Sequence, residues 1–331
     1  MKTYLIKRVL QAIGVVFAIS AITFFVLNII PGDPVRLMMG EMVDEQVVEQ
    51  VRHTMGLDRP VLTQYVDWIA GIFQGNFGES YTQHKPVIDI MWKAFGVTAG
   101  LAAAAYIFSL ILGITVGVLA AIFHGTWIDR TLMALAVFGI SAPVFWVAII
   151  MQIVFGLMLG LMPISGYATP IHYIMPTIAL GVRYAASISR ITRNSMLEVL
   201  GQDYMRTSYA KGLKIWVVNV KHGLRNALIP IITVAGTELG NIFTGSILIE
   251  TIFAMPGMGK MLLDAINQRD LPLIQGGVMY IAILCVVVYL LVDILYGVVD
   301  PRIRLGKEGV LHGREEPRPH CRRCGACREA P

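Results

Sequence analysis

Charged side chains are scarce in this sequence. Asp, Glu, Lys and Arg together make up 15% of its 331 residues, whereas a typical soluble domain has about 25%. Apolar residues account for 56% of the chain, and the mean hydropathy is +0.65. This composition excludes an ordinary soluble enzyme and indicates a membrane protein, because several apolar runs are long enough to cross a bilayer.

A nucleotide-binding P-loop is also missing. That motif requires G-x-x-x-x-G-K-[ST], in which backbone N–H groups and the Lys hold phosphates. The nearest match, "MPGMGKM", has Ala254 in place of the first Gly and Met261 in place of Ser or Thr. The apolar segments likewise contain no nucleophile–base pair and no complete metal site. We therefore expect that the chain is not an enzyme.

Hydropathy predicts six membrane-spanning helices. Their expected ranges are Val9–Ile30, Val97–Phe123, Thr131–Leu159, Ile174–Thr192, Ala227–Phe253 and Leu273–Val299. The fourth is the most polar, because it contains Arg183 and Arg190. The first is longer than the hydrophobic region of a signal peptide and leads into "PGDP" rather than a cleavage site, so we expect it to remain as a helix.

The basic residues lie in alternate loops. The net charge is +5, and Lys and Arg cluster before span one and after spans two, four and six. The segment 42–93, on the opposite side, is long and leans acidic. The positive-inside rule therefore predicts that both termini lie in the cytoplasm, in agreement with an even number of spans.

Two amphipathic helices are predicted in the external segment. The first lies in "DEQVVEQVRHTMG" and the second in "PVLTQYVDWIAGIF", where Pro60 occupies the first turn. The expected apolar stripes are Val47, Val51 and Met55 in the first helix and Leu62, Tyr65, Ile69 and Phe73 in the second. We expect both helices to pack at the outer face of the membrane.

The stretch "YMRTSYAKGLKIWVVNVKHGLRNALIP", Tyr204 to Pro230, mixes basic and apolar residues between spans four and five. After Gly212, one face of a predicted helix is apolar and another is basic. The apolar positions are Val217, Val220, Leu224 and Leu228, and the basic ones are Lys214, Lys221 and Arg225. Two interpretations remain open: a helix that only lies on anionic lipid, and a helix that docks on a cytoplasmic partner.

At these residues the sequence resembles the permease subunits of ABC transporters in the dipeptide/oligopeptide, nickel and glutathione importer family. "DYMRTSYAKGL…KHGLRNALIP" resembles the extended EAA-type loop of that family, although the Glu-Ala-Ala itself is absent. Further matching fragments follow in the family's order over nearly the whole chain. They are "IIPGDP", "MGLDRP…QY…GNFGES", "ITRNSMLEVLGQDY", "ETIFAMPGMGK" and "LLVDILYGVVDPRIR".

The resemblance implies an all-α integral membrane protein with the type I ABC importer permease fold: six transmembrane helices, short external amphipathic helices and a cytoplasmic coupling helix. It implies half of a transmembrane pathway in a bacterial inner membrane. The implied partners are a second homologous permease, two cytoplasmic ABC ATPase subunits that hydrolyse the ATP, an external substrate-binding protein and lipid, but no nucleic acid. The expected segments are 1–95 (first helix and external segment), 96–303 (permease core with the coupling loop at 194–230) and 304–331 (cytoplasmic tail).

The resemblance also assigns roles within the loop. We expect Tyr204–Gly212 to lie in a groove on the ATPase and the later residues to brace the loop. The predicted coupling residues are Asp203, Tyr204, Arg206, Thr207, Ala210, Lys211, Gly212, Lys221, His222, Arg225, Asn226 and Pro230. Gly212 is expected to redirect the chain sharply, and Pro230 to end the loop helix or begin span five.

Polar residues inside the predicted spans are candidates for the substrate path. Arg183 and Glu238 are expected at similar depth, near the midplane, and Asn241 lies one turn beyond Glu238. Two interpretations remain open: a structural ion pair, or contacts to a zwitterionic or charged substrate. Asp293, in span six, is expected to bond to a neighbouring helix.

Two further groups of candidates lie near the ends of the spans or beyond them. The predicted external gate or docking residues are Asp33, Glu250, Pro256 and Gly257. In the tail, Cys321, Cys324 and Cys327 form a C-x2-C-x2-C cluster, whose spacing suits zinc or part of an iron–sulfur cluster with His320 or another subunit as fourth ligand. A tail without metal remains the alternative, and the permease core itself is expected to bind no cofactor.

The substrate also stays open. Short peptides are the first expectation, and a nickel or metal–chelator complex, or glutathione, is the alternative within the family. A secondary transporter or channel is the alternative from another class, but the absence of inverted repeats argues against it.

Overall fold

The structure is a computed structural model that describes residues 2–29, 35, 43–54, 56–212 and 214–299, with side chains from residue 6 to residue 294. Within these ranges the regular elements are helices, and the only bridge joins Glu79 and Pro86. The α-helices are α1 (Lys2–Ile29), α2 (Glu45–Thr54), α3 (Val61–Phe73), α4 (Val87–Ile122), α5 (Trp127–Ser141), α6 (Val144–Met151), α7 (Ile171–Leu200), α8 (Asp203–Ala210), α9 (Ile215–Val217), α10 (Arg225–Ile252), α11 (Met258–Gln268) and α12 (Leu271–Val299). Two π-helical segments, π1 (Gln152–Met158) and π2 (Val218–Leu224), continue α6 and α9.

Helices α4 and α7 form the centre of the bundle because small residues let their backbones approach. A Cβ on Gly113 would lie 2.7 Å from the Ala185 carbonyl oxygen, and one on Gly117 would lie 2.6 Å from that of Ser189. This G-x-x-x-G spacing is a common means of close helix packing in membranes. Helix α10 packs on the same pair.

The first and last described helices pack together. Arg8 on α1 forms an ion pair with Asp293 on α12, with 3.1 Å between Nη1 and Oδ2. The expectation that Asp293 bonds to a neighbouring helix is therefore confirmed. Because Arg8 is near the start of α1 and Asp293 is near the end of α12, this ion pair places the two helix ends at the same end of the bundle. This end also carries α8 and is called the α8 end below; the opposite end is the α11 end.

The third predicted span, Thr131–Leu159, is wrong as a single helix. It is split into α5 and α6, which meet at an angle of 103°. Ala142, between them, is extended (φ −69°, ψ 129°). A residue before proline is driven out of the helical region, and Pro143 lacks the N–H that would continue the helix.

The predicted count of six spans stays a prediction. Within the described residues, four helices are long and apolar enough to cross a membrane, or up to five if α5 with α6 and π1 counts as one bent span. Helix α7 is not among them, although it contains the whole fourth predicted span and is buried along much of its length. Its arginines lower its hydropathy.

The segment before α4 differs in detail from expectation. Helix α4 begins at Val87, so the predicted boundary between segments 1–95 and 96–303 falls inside a helix whose first turns contain Asp89 and Lys93. In α2, Val48 is buried whereas Val47 is 40% exposed, so the predicted stripe is rotated by one residue. In α3, Leu62 and Phe73 are exposed, and the helix packs on α1 through Tyr65 and Trp68 against Phe24.

Candidate functional site

Helix α8 projects from the α8 end of the bundle, directly after α7 and the pair Gly201–Gln202. Its side chains are largely exposed: those of Asp203 and Arg206 are 97% and 78% accessible, and only Met205 is fully buried. The predicted short helix that starts at Asp203 is thus confirmed. Of the predicted coupling set, the exposed members are Asp203, Tyr204, Arg206, Thr207, Ala210, Lys211, Gly212, Lys221, Arg225, Asn226 and Pro230, and His222 is half-buried.

The inner face of α8 is fixed to the segment that follows it. The amide of Asn226 donates to the Tyr204 hydroxyl at 3.2 Å, and the Tyr209 hydroxyl donates to the side-chain oxygen of Asn219. Between these bonds, the Cε methyl group of Met205 packs against Gly223, where an added Cβ would lie 3.6 Å away. Helix α8 is therefore held at both ends against π2 and the start of α10.

Gly212 ends α8 in the left-handed region, with a φ of +74°. Its N–H donates to the Tyr209 carbonyl at 3.0 Å, and an added Cβ would meet nothing within 4 Å. The requirement for glycine is therefore conformational, not steric. The predicted redirection of the chain at Gly212 is confirmed.

The segment after Gly212 differs from the predicted α-helix. Residues 218–224 are π-helical, and the buried positions are Val218, Asn219 and Gly223, whereas Val217 and Val220 are only half-buried. The wider π turn moves the inward face away from the 3.6-residue spacing that the sequence pattern assumed. The exposure of the basic positions Lys214, Lys221 and Arg225 agrees with the prediction.

The expectation for Pro230 is wrong. It neither ends the loop helix nor begins span five, because α10 starts at Arg225 and Pro230 lies inside it. Helical structure is continuous from Ile215 to Ile252, so the loop helix and the predicted fifth span form one long element.

An ion-pair cluster that the sequence analysis missed joins α7 to the α4–α5 turn. Arg193, near the end of α7, binds Asp129 on α5 through two bonds, Nε to Oδ1 at 2.6 Å and Nη2 to Oδ2 at 2.7 Å. The Asp129 side chain is buried. Its Oδ2 also accepts from the Gly125 N–H at 3.1 Å and lies 3.2 Å from His124 Nδ1. This cluster clamps the α4–α5 turn to α7. Its partners are distant in sequence, so local pattern does not reveal it.

The predicted substrate-path residues lie at one level of the bundle. The Tyr184 hydroxyl donates to the Asn241 carbonyl at 2.9 Å, and the Asn241 amide donates to Glu238 Oε2 at 3.0 Å. This places Arg183, next to Tyr184, at the depth of Glu238, as predicted. The two form no ion pair, however, within the part of the chain that the structure describes, and Arg183 is exposed. The structural ion pair is therefore wrong for this conformation.

At the α11 end, Glu250 is a buried structural group. It is 0% exposed, so the docking role predicted for it is wrong, while the predicted gate role stays a prediction. Its carboxylate accepts from the Thr98 hydroxyl at 2.7 Å and from the N–H of Gly259 at 2.8 Å, at the start of α11. A carboxylate is favourable at a helix N-terminus.

The hairpin before α11 requires its glycine. A Cβ on Gly257 would lie 2.4 Å from the Glu250 carboxyl carbon. Ala254, with a φ of +53°, turns the chain, and Pro256 is exposed at the surface. The predicted turn at Pro256 and Gly257 is confirmed, and only Pro256 of this pair is accessible to a partner.

A second buried carboxylate, Asp270, was missed by the sequence analysis. It accepts from the Leu273 N–H at the start of α12 and from the Ser80 hydroxyl at 2.6 Å, and both N–H and hydroxyl of Thr82 reach it. Burial and the nearby Asp270 raise the pKa of Tyr81, so the phenol remains neutral. An Asp before "LP" is a helix N-cap pattern that sequence inspection can find; its long-range bonds are not visible there.

Several predicted residues lie outside the described part of the chain. These are Asp33, among the docking candidates, and His320, Cys321, Cys324 and Cys327 of the tail. Within the described ranges, no three His, Cys, Asp or Glu side chains are grouped to hold a metal. The metal site in the tail stays a prediction.

Comparison with known proteins covers most of the chain. Residues 113–305 match the family model "Binding-protein-dependent transport system inner membrane component", and residues 1–102 match the model of its N-terminal region. The chain is 40% identical over 305 residues to "Glutathione transport system permease protein GsiC" of Escherichia coli (strain K12), and equally to that of Shigella dysenteriae serotype 1 (strain Sd197). Each alignment covers 92% of this chain and 99% of the relative.

Among solved structures, the chain is similar to an inward-facing form of the MetNI methionine ABC transporter. The TM-score is 0.55 at 20% identity, over 64% of this chain and 96% of the matched chain. At that identity the likeness concerns the fold alone, and it agrees with the predicted type I importer permease fold.

Proposed function

The chain belongs to the family of binding-protein-dependent transport system inner membrane components, and from this membership we propose that it forms half of the transmembrane pathway of an ATP-driven importer of short peptides. The secondary transporter or channel considered above is excluded by the family. ATP hydrolysis belongs to partner subunits in this proposal, and the chain itself supplies the pathway and the mechanical link.

The exposed helix α8 is the observation that carries the proposal. A helix of eight residues is too short to be stable by itself, yet its outer face makes no contact within the described structure that would account for it. Its inner face is instead tied to the bundle by the bonds from Tyr204 and Tyr209. A solvent-exposed, firmly mounted helix is suited to bind a groove on a cytoplasmic ATPase.

The mounting of α8 provides a route for coupling. A force on α8 acts on α10 through Asn226 and on α7 through the two-residue link at Gly201. The Arg193–Asp129 bonds carry the same force to the α4–α5 turn. Helices α4, α7 and α10 therefore move as a coupled set, and α7 and α10 carry Arg183 and Glu238.

The substrate chemistry follows from these two side chains. A short peptide has an ammonium group and a carboxylate, for which Glu238 and Arg183 are complementary. Glutathione, transported by the relatives according to their name, is itself a tripeptide and remains the alternative substrate, as does a nickel–chelator complex. Glu238 accepts from the Asn241 amide, and neither charge is held in an ion pair among the described residues. Charged side chains inside the membrane mark substrate paths.

The assembly proposed is the one expected from the sequence. It contains a second homologous permease, two ABC ATPases on the α8 side and an external binding protein on the α11 side, in a bacterial inner membrane with both termini in the cytoplasm. The shared position of the amino end of α1 and the carboxyl end of α12 supports the last point.

The test is uptake in cells that lack this chain, complemented with wild type or variants. Free dipeptides, N-acetylated and C-amidated dipeptides, glutathione and a nickel chelate are each supplied at saturating concentration. Glu238→Gln is expected to abolish the preference for a free amino group, and Arg183→Gln that for a free carboxylate. Arg190→Gln, exposed two turns away on α7, is the matched control. Uptake of no member of the panel, or unchanged preferences in both variants, would contradict the proposal.

A further inference from the structure

The loop of residues 79–86, at the α11 end, is ordered before any partner binds. The Glu79–Pro86 bridge closes it, the Ser80 N–H donates to the Lys85 carbonyl at 3.0 Å, and Asp270 fixes its base. The tip nevertheless consists of exposed polar side chains. A loop that is already ordered loses less conformational entropy when a partner binds it.

The tip also contains backbone strain. His84 has a φ of +50°, which is uncommon for a residue other than glycine. Such outliers persist only where surrounding bonds impose them, and they cluster at functional sites. Here the His84 N–H donates to the Ser80 carbonyl at 3.0 Å, and Ser80 is in turn bound to Asp270.

A cavity of about 300 Å³ lies between this tip, the first turns of α4 and the outer face of α11. Three lysines and two aspartates line it: Lys85, Lys93, Lys260, Asp89 and Asp264. Lys260 is paired with Asp264 at 3.1 Å, while Lys85 and Lys93 form no ion pair with any described residue. Three lysines against two aspartates give the lining a net charge of +1, and Lys85 and Lys93 supply this excess beside Asp89.

We propose that this surface, the 79–86 loop together with the lysine-lined cavity, is the docking site for the external binding protein, and that an acidic side chain of that protein enters the cavity. The inference rests on the proposed function. A volume of about 300 Å³ accommodates one or two side chains, and unpaired lysines attract a carboxylate and accelerate encounter. Asp270 acts as a positioning residue that keeps the loop in its docking conformation.

The experiment uses the whole complex, this chain with the second permease and both ATPases, in phosphatidylcholine nanodiscs. Substrate-loaded binding protein is titrated, and stimulated ATP hydrolysis gives its apparent Kd. The double variant Lys85→Glu/Lys93→Glu is expected to raise the Kd at least about tenfold, with basal hydrolysis unchanged. Arg59→Glu, an exposed cation that does not line the cavity, is the control.

A charge exchange identifies the contact. A photo-crosslinking residue at position 83, in place of Gln83, locates the facing acidic residue on the binding protein. Replacement of that acidic residue by Lys is expected to restore docking to the double variant. An unchanged Kd, or an equal loss in Arg59→Glu, would overturn the docking site while wild-type stimulation stands. Absence of stimulation in wild type would instead contradict the proposed function itself.

Discussion

Replacement of Gly212 tests how far coupling depends on one backbone conformation. Its φ of +74° and the open space around its Cβ position separate conformational cost from steric clash. An L-residue other than glycine in this region costs about 1–2 kcal/mol, which is a factor of roughly 5–30 in the population of the docking geometry. We expect Gly212→Ala to reduce coupled transport by this factor. Asn tolerates the left-handed region, so Gly212→Asn should retain most of the activity.

The assay is binding-protein-stimulated ATP hydrolysis and uptake by the reconstituted complex. Gly96→Ala is the matched control, because it adds the same methyl group in a helix where nothing lies within 4 Å and φ is ordinary. Gly212→Pro should abolish coupling while insertion stays normal, since proline fixes φ near −65°. Full coupling in Gly212→Ala, or equal losses in the Ala and Asn variants, would refute this reasoning.

Three further predictions concern stability and metal binding. Arg193→Met leaves the Asp129 carboxylate buried without its guanidinium partner. The purified permease should therefore lose about 3 kcal/mol of its free energy of unfolding and show a lower Tm. The double variant Arg193→Met/Asp129→Asn should recover part of this loss, and a double variant as unstable as the single one would contradict the clamp. Gly257→Ala places a Cβ against the Glu250 carboxyl group and should cost about 1–3 kcal/mol, measured as a lower Tm against Gly96→Ala; an equal Tm would contradict the close approach. Replacing the three tail cysteines with serine should remove zinc or iron from the purified full-length protein, and metal analysis that finds no difference would leave the cluster without a role. The cysteines are Cys321, Cys324 and Cys327.

Features of the chain that depend on local pattern were predictable. The helix at Asp203, the redirection at Gly212 and the turn at Gly257 each follow from residue types that favour one backbone geometry. The family was identifiable because its motifs are contiguous. Helix α4 illustrates a limit of the same approach: its first turns contain Asp89 and Lys93, so hydropathy placed its start ten residues late.

Long-range contacts were not predictable from these patterns. The Arg193–Asp129 bonds join residues 64 positions apart, and the Asp270–Ser80 bond spans 190. Glu250 illustrates the same difficulty, since a carboxylate in an external-type hairpin suggests a surface contact, and only the packing of Thr98 shows that it is buried. The π-helical winding after Gly212 also escaped a periodicity that assumes 3.6 residues per turn.

The central claim, that α8 couples this chain to an ATPase, is tested most directly by site-specific photo-crosslinking in the intact complex. The probe residue is placed at Arg206 on the exposed face of α8, and at Trp216, which is 64% exposed beyond Gly212, as a control. The account predicts that the probe at 206 links to the ATPase subunit and that the probe at 216 does not. ATPase crosslinks from position 216 alone, with the ATPase still bound to the complex, would contradict it.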